Sequence, residues 1–236
     1  MNPDFRVMTS GGFTAAYREL IPQLQQLTGL EIVTVTTSIG TGETSIPNRL
    51  KRGEIADLVI CAETVFQSFL ADQLVRAEHH APLARSIIGF AVRAGAPKPD
   101  IATPDKLRDT LLRATSIGYS ASESGKYVTT QLYQRLGIAD EALKKSVFVG
   151  NGERVGTLIA RGEVEVGFQQ VSELLPIAGI AHITPIPEDL QLVTTFRAGI
   201  GATAVHPEAA ARAVAFLCSP DAAPAIRATG LDPLAH

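Results

Sequence analysis

Aromatic residues are scarce in this sequence of 236 residues, which has no tryptophan, four tyrosines and nine phenylalanines. This scarcity excludes a binding site built as an aromatic cage around a sugar or a choline group. No apolar run approaches the roughly 18 consecutive residues that a membrane-spanning helix needs. The net charge is −3 and no block of basic residues occurs, so we expect neither membrane insertion nor a nucleic-acid partner.

Residues that hold metals or form disulfides are also rare. Cys61 and Cys218 are the two cysteines, and their separation is unlike that of metal ligands, so we expect free thiols, although the sequence leaves a disulfide open. No histidine falls in the polar loops that follow the predicted strands, which argues against a metal site and a Ser–His–acid site. The Gly-x-Gly at 40–42 lacks the third glycine of a dinucleotide fingerprint, and no cofactor is predicted.

The clearest local pattern lies between residues 32 and 62. It predicts a strand at Ile32–Thr36, a loop of small polar residues at 37–44, a helix at Ser45–Arg52 and a second strand at Asp57–Ala62. Because the loop delivers free N–H groups and the positive end of a helix to one place, this stretch predicts an anion site.

Individual residues of the 37–44 loop support that prediction. Thr44 is predicted to cap the helix, and Pro47 suits the first helical turn, where its missing N–H costs little. Gly40 and Gly42 are predicted to take positive φ and to let the backbone approach a ligand closely.

The same order of strand, polar glycine-containing loop and helix occurs at 9–12, 120–125 and 150–153, with the helix after the 120–125 loop predicted from about Lys126. Residues 83–85 are predicted to lead into one buried strand at 86–92, and 201–205 is predicted as a further strand. Alternating strands and helices predict an α/β fold with mostly parallel, doubly wound sheets, in which ligands bind beyond the carboxyl ends of the strands. Two of the loops fall in the first third of the chain and two in the middle, which predicts two lobes with a cleft between them. The predicted ligand-binding residues are Thr9, Ser10, Gly11, Gly12, Gly40, Thr41, Gly42, Thr44, Ser122, Ser124, Gly125, Lys126, Gly152, Arg154, Gln169 and Gln170.

Four motifs in this order and spacing resemble the periplasmic solute-binding proteins of the molybdate-binding type, which belong to the ABC-transporter substrate-binding superfamily. They are Phe13–Ala16, Arg52–Ile60, Ser124–Tyr127 and Arg161–Phe168. The resemblance implies an oxyanion held in an interlobe cleft that closes by a hinge, and transporter subunits as partners. It also implies that lobe 1 comprises 1–85 and 188–236, that lobe 2 comprises 86–187, and that the chain crosses near 86–90 and 183–187.

The chain departs from that family at the positions that contact the anion. The first-loop serine of the family falls on Gly12, its second hydroxyl on or near Thr44, its third-loop alanine on Ser124 and its cleft tyrosine on Gln170. Amide and hydroxyl groups at these positions suit planar carboxylates as well as tetrahedral oxyanions. The segments 8–12 and 167–176 are similar to a branch of the superfamily that includes aconitate isomerase.

Two functions follow from this pattern. The first is a receptor that closes on a small carboxylate or oxyanion. The second is an isomerase that moves a proton and a double bond within an unsaturated tricarboxylate, which needs a proton-transferring group as well as hydrogen-bond donors. The candidates for that group are Ser10, Glu123, Lys126 and Tyr127, with Glu153 also near the predicted cleft.

The compartment and the oligomeric state are less constrained. No leader segment is recognisable before the first predicted strand, which begins at Phe5. We expect a periplasmic protein if a leader has been removed and a cytoplasmic protein otherwise. We also expect a monomer.

Overall fold

The computed structural model of the chain describes residues 4–150 and 153–234. The strands are β1 Asp4–Thr9, β2 Glu31–Thr36, β3 Leu58–Ala62, β4 Ala81–Ser86, β5 Ile88–Arg93, β6 Ile117–Ser120, β7 Ser146–Val149, β8 Val166–Gln170, β9 Ile180–Pro185, β10 Thr194–Ile200 and β11 Asp232–Pro233. The helices are α1 Gly11–Thr28, α2 Ile46–Lys51, α3 Glu63–Ala71, α4 Pro104–Arg113, α5 Glu123–Tyr127, α6 Tyr133–Arg135, α7 Ala139–Lys144, α8 Val155–Arg161, α9 Val171–Leu174, α10 Pro207–Leu217 and α11 Ala223–Ala228.

Two shorter helical turns complete the secondary structure. A π-helical turn, Val128–Leu132, joins α5 to α6, so these three segments form one continuous helix. A 3₁₀ turn, Glu188–Leu190, follows β9. No helix in the described ranges is long and apolar enough to cross a membrane.

The chain forms two compact units. Unit 1 contains the described residues up to Ser86 together with those from Thr194 onward, and unit 2 is Ile87–Val193. The chain therefore passes from one unit to the other at Ser86–Ile87 and at Val193–Thr194. The hinge motion expected at such crossings stays a prediction.

Unit 1 contains a six-stranded sheet in the order β11-β4-β10-β3-β1-β2. Strand β1 pairs in parallel with both β2 and β3, whereas β10 runs antiparallel to β3 and β4. Because β1, β2 and β3 are parallel, their carboxyl ends meet at one edge of the sheet, and α1, α2 and α3 begin there.

Unit 2 contains a five-stranded sheet in the order β7-β6-β8-β5-β9. Strand β6 pairs in parallel with β7 and β8, and β5 runs antiparallel to β8 and β9. In each sheet four strands share one direction, as predicted, but antiparallel pairings are at least as common as parallel ones among the described strands, which makes both sheets mixed. The strand entered directly after each crossing, β5 or β10, runs the opposite way.

Both sheets are buried on their two faces. In unit 1 Val7 packs with α1 and α10, while its neighbour Met8 packs with α2 and α3 on the opposite face. In unit 2 Phe90 and Phe168 pack with α4 and the α5–α6 helix, while Ala91 packs with α8 and α9. Apolar side chains on both faces explain why these strands read as continuous apolar runs.

Three boundary predictions need correction. The segment 83–92 was expected to hold one buried strand with a short lead, but the chain breaks at Ile87 into β4 and β5, which belong to different sheets. Residues 188–193 were assigned to lobe 1, but Leu190 lies in the core of unit 2 and Gln191 accepts the Ile88 N–H there. Finally, 201–205 was predicted as a strand, but β10 ends at Ile200 and a turn follows.

Candidate functional site

Ser10 lies at the carboxyl edge of the unit 1 sheet. Its N–H donates to the Ile60 carbonyl at 2.8 Å, which fixes it beside the end of β3. Its own carbonyl accepts the Phe13 N–H at 3.1 Å and the Thr14 hydroxyl at 3.0 Å, so Ser10 is the N-cap of α1. The side chain makes no cap hydrogen bond. Its Oγ is buried without a hydrogen-bond partner.

Ser45 repeats this arrangement at the start of α2, and the sequence analysis missed it. Ser45 is the N-cap of α2, it is fully buried, and its Oγ also lacks a partner. The predicted cap, Thr44, is one residue too early. Thr44 is exposed, and its carbonyl accepts the Thr36 hydroxyl and the Arg49 Nε, each at 2.9 Å.

The rest of the 37–44 loop is hydrogen-bonded to α2, the helix that follows it. The Asn48 side-chain amide donates to the carbonyls of Thr41, at 2.9 Å, and Gly42, at 3.0 Å, and both of these residues are exposed. Neither Gly40 nor Gly42 has positive φ, so that prediction is wrong. A role for Gly40, Thr41, Gly42 or Thr44 in ligand binding stays a prediction.

The glycines of the first loop lie inside α1 rather than before it. Gly12 occupies the first turn, where an added Cβ would come within 2.3 Å of the Phe196 ring. Close packing against β10 therefore explains a glycine at this position. Thr9 is buried and Gly11 is half-buried beside Ser10.

In unit 2 three serine hydroxyls form a chain at the carboxyl end of β6. Ser120 Oγ and Ser122 Oγ are 2.8 Å apart, and Ser122 Oγ and Ser124 Oγ are 2.9 Å apart. The helix begins at Glu123, three residues earlier than predicted, so Ser124 and Gly125 lie in its first turn. A Cβ on Gly125 would lie 1.8 Å from the Ser120 carbonyl oxygen, so the backbone approaches too closely here for any other residue.

The remaining predicted residues at the start of this helix differ in how deeply they are buried. Lys126 is exposed, and Glu123 is half-buried. Tyr127 is buried, and its hydroxyl donates to the Leu190 carbonyl at 2.5 Å while it accepts from Arg135 Nη1 at 2.8 Å. These bonds engage the Tyr127 hydroxyl in the packing of unit 2, and a role for Tyr127 in proton transfer stays a prediction.

The fourth loop is partly outside the described residues, and the predicted residue Gly152 falls in the gap. Arg154, half-buried, is the N-cap of α8. Glu153 is exposed and pairs with Arg161 at 2.8 Å, and its role in proton transfer stays a prediction.

A polar cluster lies buried at the carboxyl end of β8, and the structure places the predicted Gln169 and Gln170 within it. Gln169 Oε1 accepts the Gly156 N–H in the first turn of α8, at 3.5 Å. The Glu173 carboxylate accepts hydrogen bonds from the Gln169 side chain and from the Gln170 backbone N–H. Ser172 is buried beside them.

Glu173 is the second residue that the sequence analysis missed. Burial raises the pKa of its carboxyl to about 6, although the Arg154 charge and the bonds from Gln169 and Gln170 favour the ionised form. The spacing from Gln170, the N-cap of α9, to an acid three residues later could have drawn attention to it. Its burial could not be read from the sequence.

Cys61 is buried, Cys218 is partly buried, and no disulfide joins them in the structure. Within residues 4–150 and 153–234, no group of three or more histidine, cysteine or acidic side chains is arranged to hold a metal ion. Besides the hydroxyls, amides and backbone N–H groups described above, each sheet edge carries charged side chains. These are Arg154 and Glu173 in unit 2, and in unit 1 Glu63, which pairs with Arg197 at 2.6 Å.

Comparison with known proteins identifies the family. Residues 5–232 match the family described as bacterial extracellular solute-binding protein. The chain belongs to this family. A curated relative, aconitate isomerase from Pseudomonas sp., is 37% identical over 229 residues, which are 97% of this chain and 87% of the relative.

Solved structures with the same fold agree with this assignment. The periplasmic molybdate-binding protein of Azotobacter vinelandii has a TM-score of 0.79 at 18% identity, over 96% of this chain and 98% of that one. A tungstate-binding protein from Desulfovibrio alaskensis G20 has a TM-score of 0.66 at 17% identity, over 99% and 100% of the two chains. The predicted resemblance and the periplasmic-binding-protein-like α/β fold class are confirmed.

Proposed function

We propose that this solute-binding family member binds a small anionic solute, an organic carboxylate or an oxyanion. The observation that carries the proposal is the pair of buried, unpartnered hydroxyls on Ser10 and Ser45. A buried hydroxyl without a partner costs about 1–3 kcal/mol, and a ligand oxygen that accepts its hydrogen would remove that cost. Both serines cap helices that begin at the carboxyl edge of one sheet, where anions are favoured.

Unit 2 supports the proposal with a second set of donors. The Ser120–Ser122–Ser124 hydroxyls and Arg154 follow the ends of parallel strands in that unit. Two of the structurally similar proteins are named for molybdate and tungstate, which are anions. In keeping with the family description, we also propose that the chain acts outside the cytoplasm and delivers its solute to membrane transporter subunits.

Titration calorimetry with molybdate, tungstate, sulfate, citrate and both aconitates tests this proposal. We expect at least one anion to bind and Ser10→Ala to weaken that binding about tenfold, the effect of losing one hydrogen bond of roughly 1.4 kcal/mol. The control is Ser68→Ala, which removes an exposed hydroxyl that bonds within α3. Failure of the whole panel to bind, or unchanged affinity in Ser10→Ala, would contradict the proposal.

A second candidate function is isomerisation of aconitate. The specific observation in its favour is the 37% identity to a curated aconitate isomerase over 97% of this chain. Incubation of the purified protein with trans-aconitate, followed by chromatography for cis-aconitate, tests it directly. Binding without conversion would leave the receptor function and exclude this one.

A further inference from the structure

Glu173 is buried at a position where its charge has no structural necessity. It is the third residue of α9, and its carboxylate accepts the N–H of Gln170, the N-cap residue. This is the geometry of a capping box, which a neutral glutamine satisfies as well as a glutamate. The cap therefore explains a hydrogen-bond acceptor at this position but not an ionisable one.

The surroundings do not offset the cost of burying that charge. Helix α9 packs against α8, β5, β8 and β9. The charged or titratable residues on these elements, or within two residues of their ends, are Arg93, Glu153, Arg154, Arg161, Glu163, Glu165 and His182. Of these, Arg154 acts on the Glu173 carboxyl, and desolvation outweighs its effect. A desolvated acid within a cluster of polar groups at a sheet edge is typical of functional sites.

We propose that Glu173 is the proton-transferring carboxylate of an aconitate isomerisation at the carboxyl edge of the unit 2 sheet. The proposal rests on the second candidate function above. It adds a buried carboxylate to the sequence candidates Ser10, Glu123, Lys126 and Tyr127. Of these, Tyr127 is occupied by other bonds and Lys126 is exposed. A carboxyl whose pKa lies near 6 is largely ionised at neutral pH and still returns a proton readily.

The step moves one proton and one double bond. A Glu173 oxygen takes a proton from the methylene carbon of aconitate, and the electron pair of that C–H bond forms a new C=C bond to the central carbon. The π pair of the former double bond moves to the far carbon and is delocalised into the carboxylate attached there. In part of the turnovers the protonated Glu173 exchanges its proton with solvent while the intermediate is bound. It then gives a proton to that far carbon, which restores the Glu173 carboxylate and completes the shift with no oxidant or reductant.

Solvent deuterium measures this step directly. The wild type in D₂O should incorporate deuterium into aconitate, seen by proton NMR, and should convert trans- to cis-aconitate. Glu173→Gln keeps the acceptor for the Gln170 N–H but cannot carry a proton, so we expect both rates to fall at least 100-fold while aconitate still binds with similar affinity. The control is Glu163→Gln, an exposed acid of the same unit that pairs with Arg161 at 3.4 Å and should behave as wild type.

The outcomes separate this inference from the proposal on which it rests. Retained exchange and conversion in Glu173→Gln would overturn the role of Glu173 and leave the isomerase function intact. Aconitate binding by the wild type without exchange or conversion would overturn both the isomerase function and this role, but not anion binding. A wild type that binds no anion would overturn the binding proposal itself.

The wild type also provides a test that needs no substitution. If Glu173 is the base, the rate of deuterium incorporation at subsaturating aconitate should fall as the pH drops through about 6, because the protonated carboxyl cannot accept a proton. A rate that stays level from pH 7.5 to pH 5 would overturn the inference even if Glu173→Gln did not fold.

Discussion

Each unit buries a carboxylate, and the two carboxylates have different surroundings. Asp57, just before β3 in unit 1, accepts backbone N–H groups from Arg6 at 2.8 Å, Val205 at 2.9 Å and His206 at 2.8 Å. Glu173 in unit 2 accepts one backbone N–H and one side-chain amide, and burial still raises its pKa. The contrast indicates a structural role for Asp57, which holds distant backbone segments together by hydrogen bonds, whereas Glu173 is suited to proton transfer.

The hydroxyl groups of the two sheet edges differ in a complementary way. In unit 1 the buried hydroxyls of Ser10 and Ser45 have no partner, whereas in unit 2 the hydroxyls of Ser120, Ser122 and Ser124 bond to one another. Unit 1 thus presents unused donors. Unit 2 presents a preformed network in which removal of the central Ser122 hydroxyl breaks both contacts.

The largest effect should come from Asp57→Asn. An asparagine offers one acceptor oxygen and turns an NH₂ group toward at least one of the three N–H donors. We expect the free energy of unfolding to fall by about 3 kcal/mol, because hydrogen bonds to a buried charge are lost and donors are left unpaired. Denaturant titration measures it, and the control is Asp72→Asn at an exposed acid. A loss below about 0.5 kcal/mol would show that Asp57 resembles a surface acid.

Glu173→Gln should raise the free energy of unfolding, and it should do so only above about pH 4.5. The pKa of Glu173 is about 6 in the folded chain and about 4.5 in the unfolded chain, so between these values the folded state binds more protons. Stability from this group is therefore present below about pH 4.5 and is lost as the pH rises to about 6. The loss is about 2 kcal/mol, because each unit of the difference between the folded and unfolded pKa values corresponds to about 1.4 kcal/mol.

The measurement is the difference in unfolding free energy between Glu173→Gln and the wild type at pH 4.5 and pH 7.5. We expect little difference at the lower pH and a more stable variant at the higher pH. A difference that does not change with pH would mean that Glu173 titrates alike in the folded and unfolded chains, and the contrast with Asp57 would disappear.

The smallest effects should come from single serines and should differ in sign. Ser122→Ala breaks both hydroxyl contacts and leaves the buried Ser124 Oγ unpaired, so we expect a loss of about 1 kcal/mol. Ser10→Ala removes a buried hydroxyl that has no partner, so we expect unchanged stability or a gain of about 1 kcal/mol without ligand. Thermal unfolding of both variants in anion-free buffer tests this. Equal losses would contradict the difference between the two edges.

Local features were predictable where neighbouring residues decide them. Gly29 ends α1 with φ of 72°, and Thr103 caps α4 through the Lys106 N–H, both as their residue types indicate. The break at Ile87 was not predictable, because no glycine or proline separates β4 from β5 and both strands pair with strands far away in sequence. The cap of α2 was placed one residue early because Thr44 and Ser45 are equally good caps locally, and burial distinguishes them.

The amino-acid sequence by itself determined the alternation of strands and helices, the polar loops after the strands and therefore the edges where a ligand binds in such folds. These follow from periodicity and turn chemistry, which act over a few residues. The tertiary structure alone decided which polar groups of those edges are buried and which have partners. Ser45 is shielded from water, and the pKa of Glu173 is raised to about 6, because segments far apart in the chain pack around both residues. No local sequence pattern predicts that desolvation.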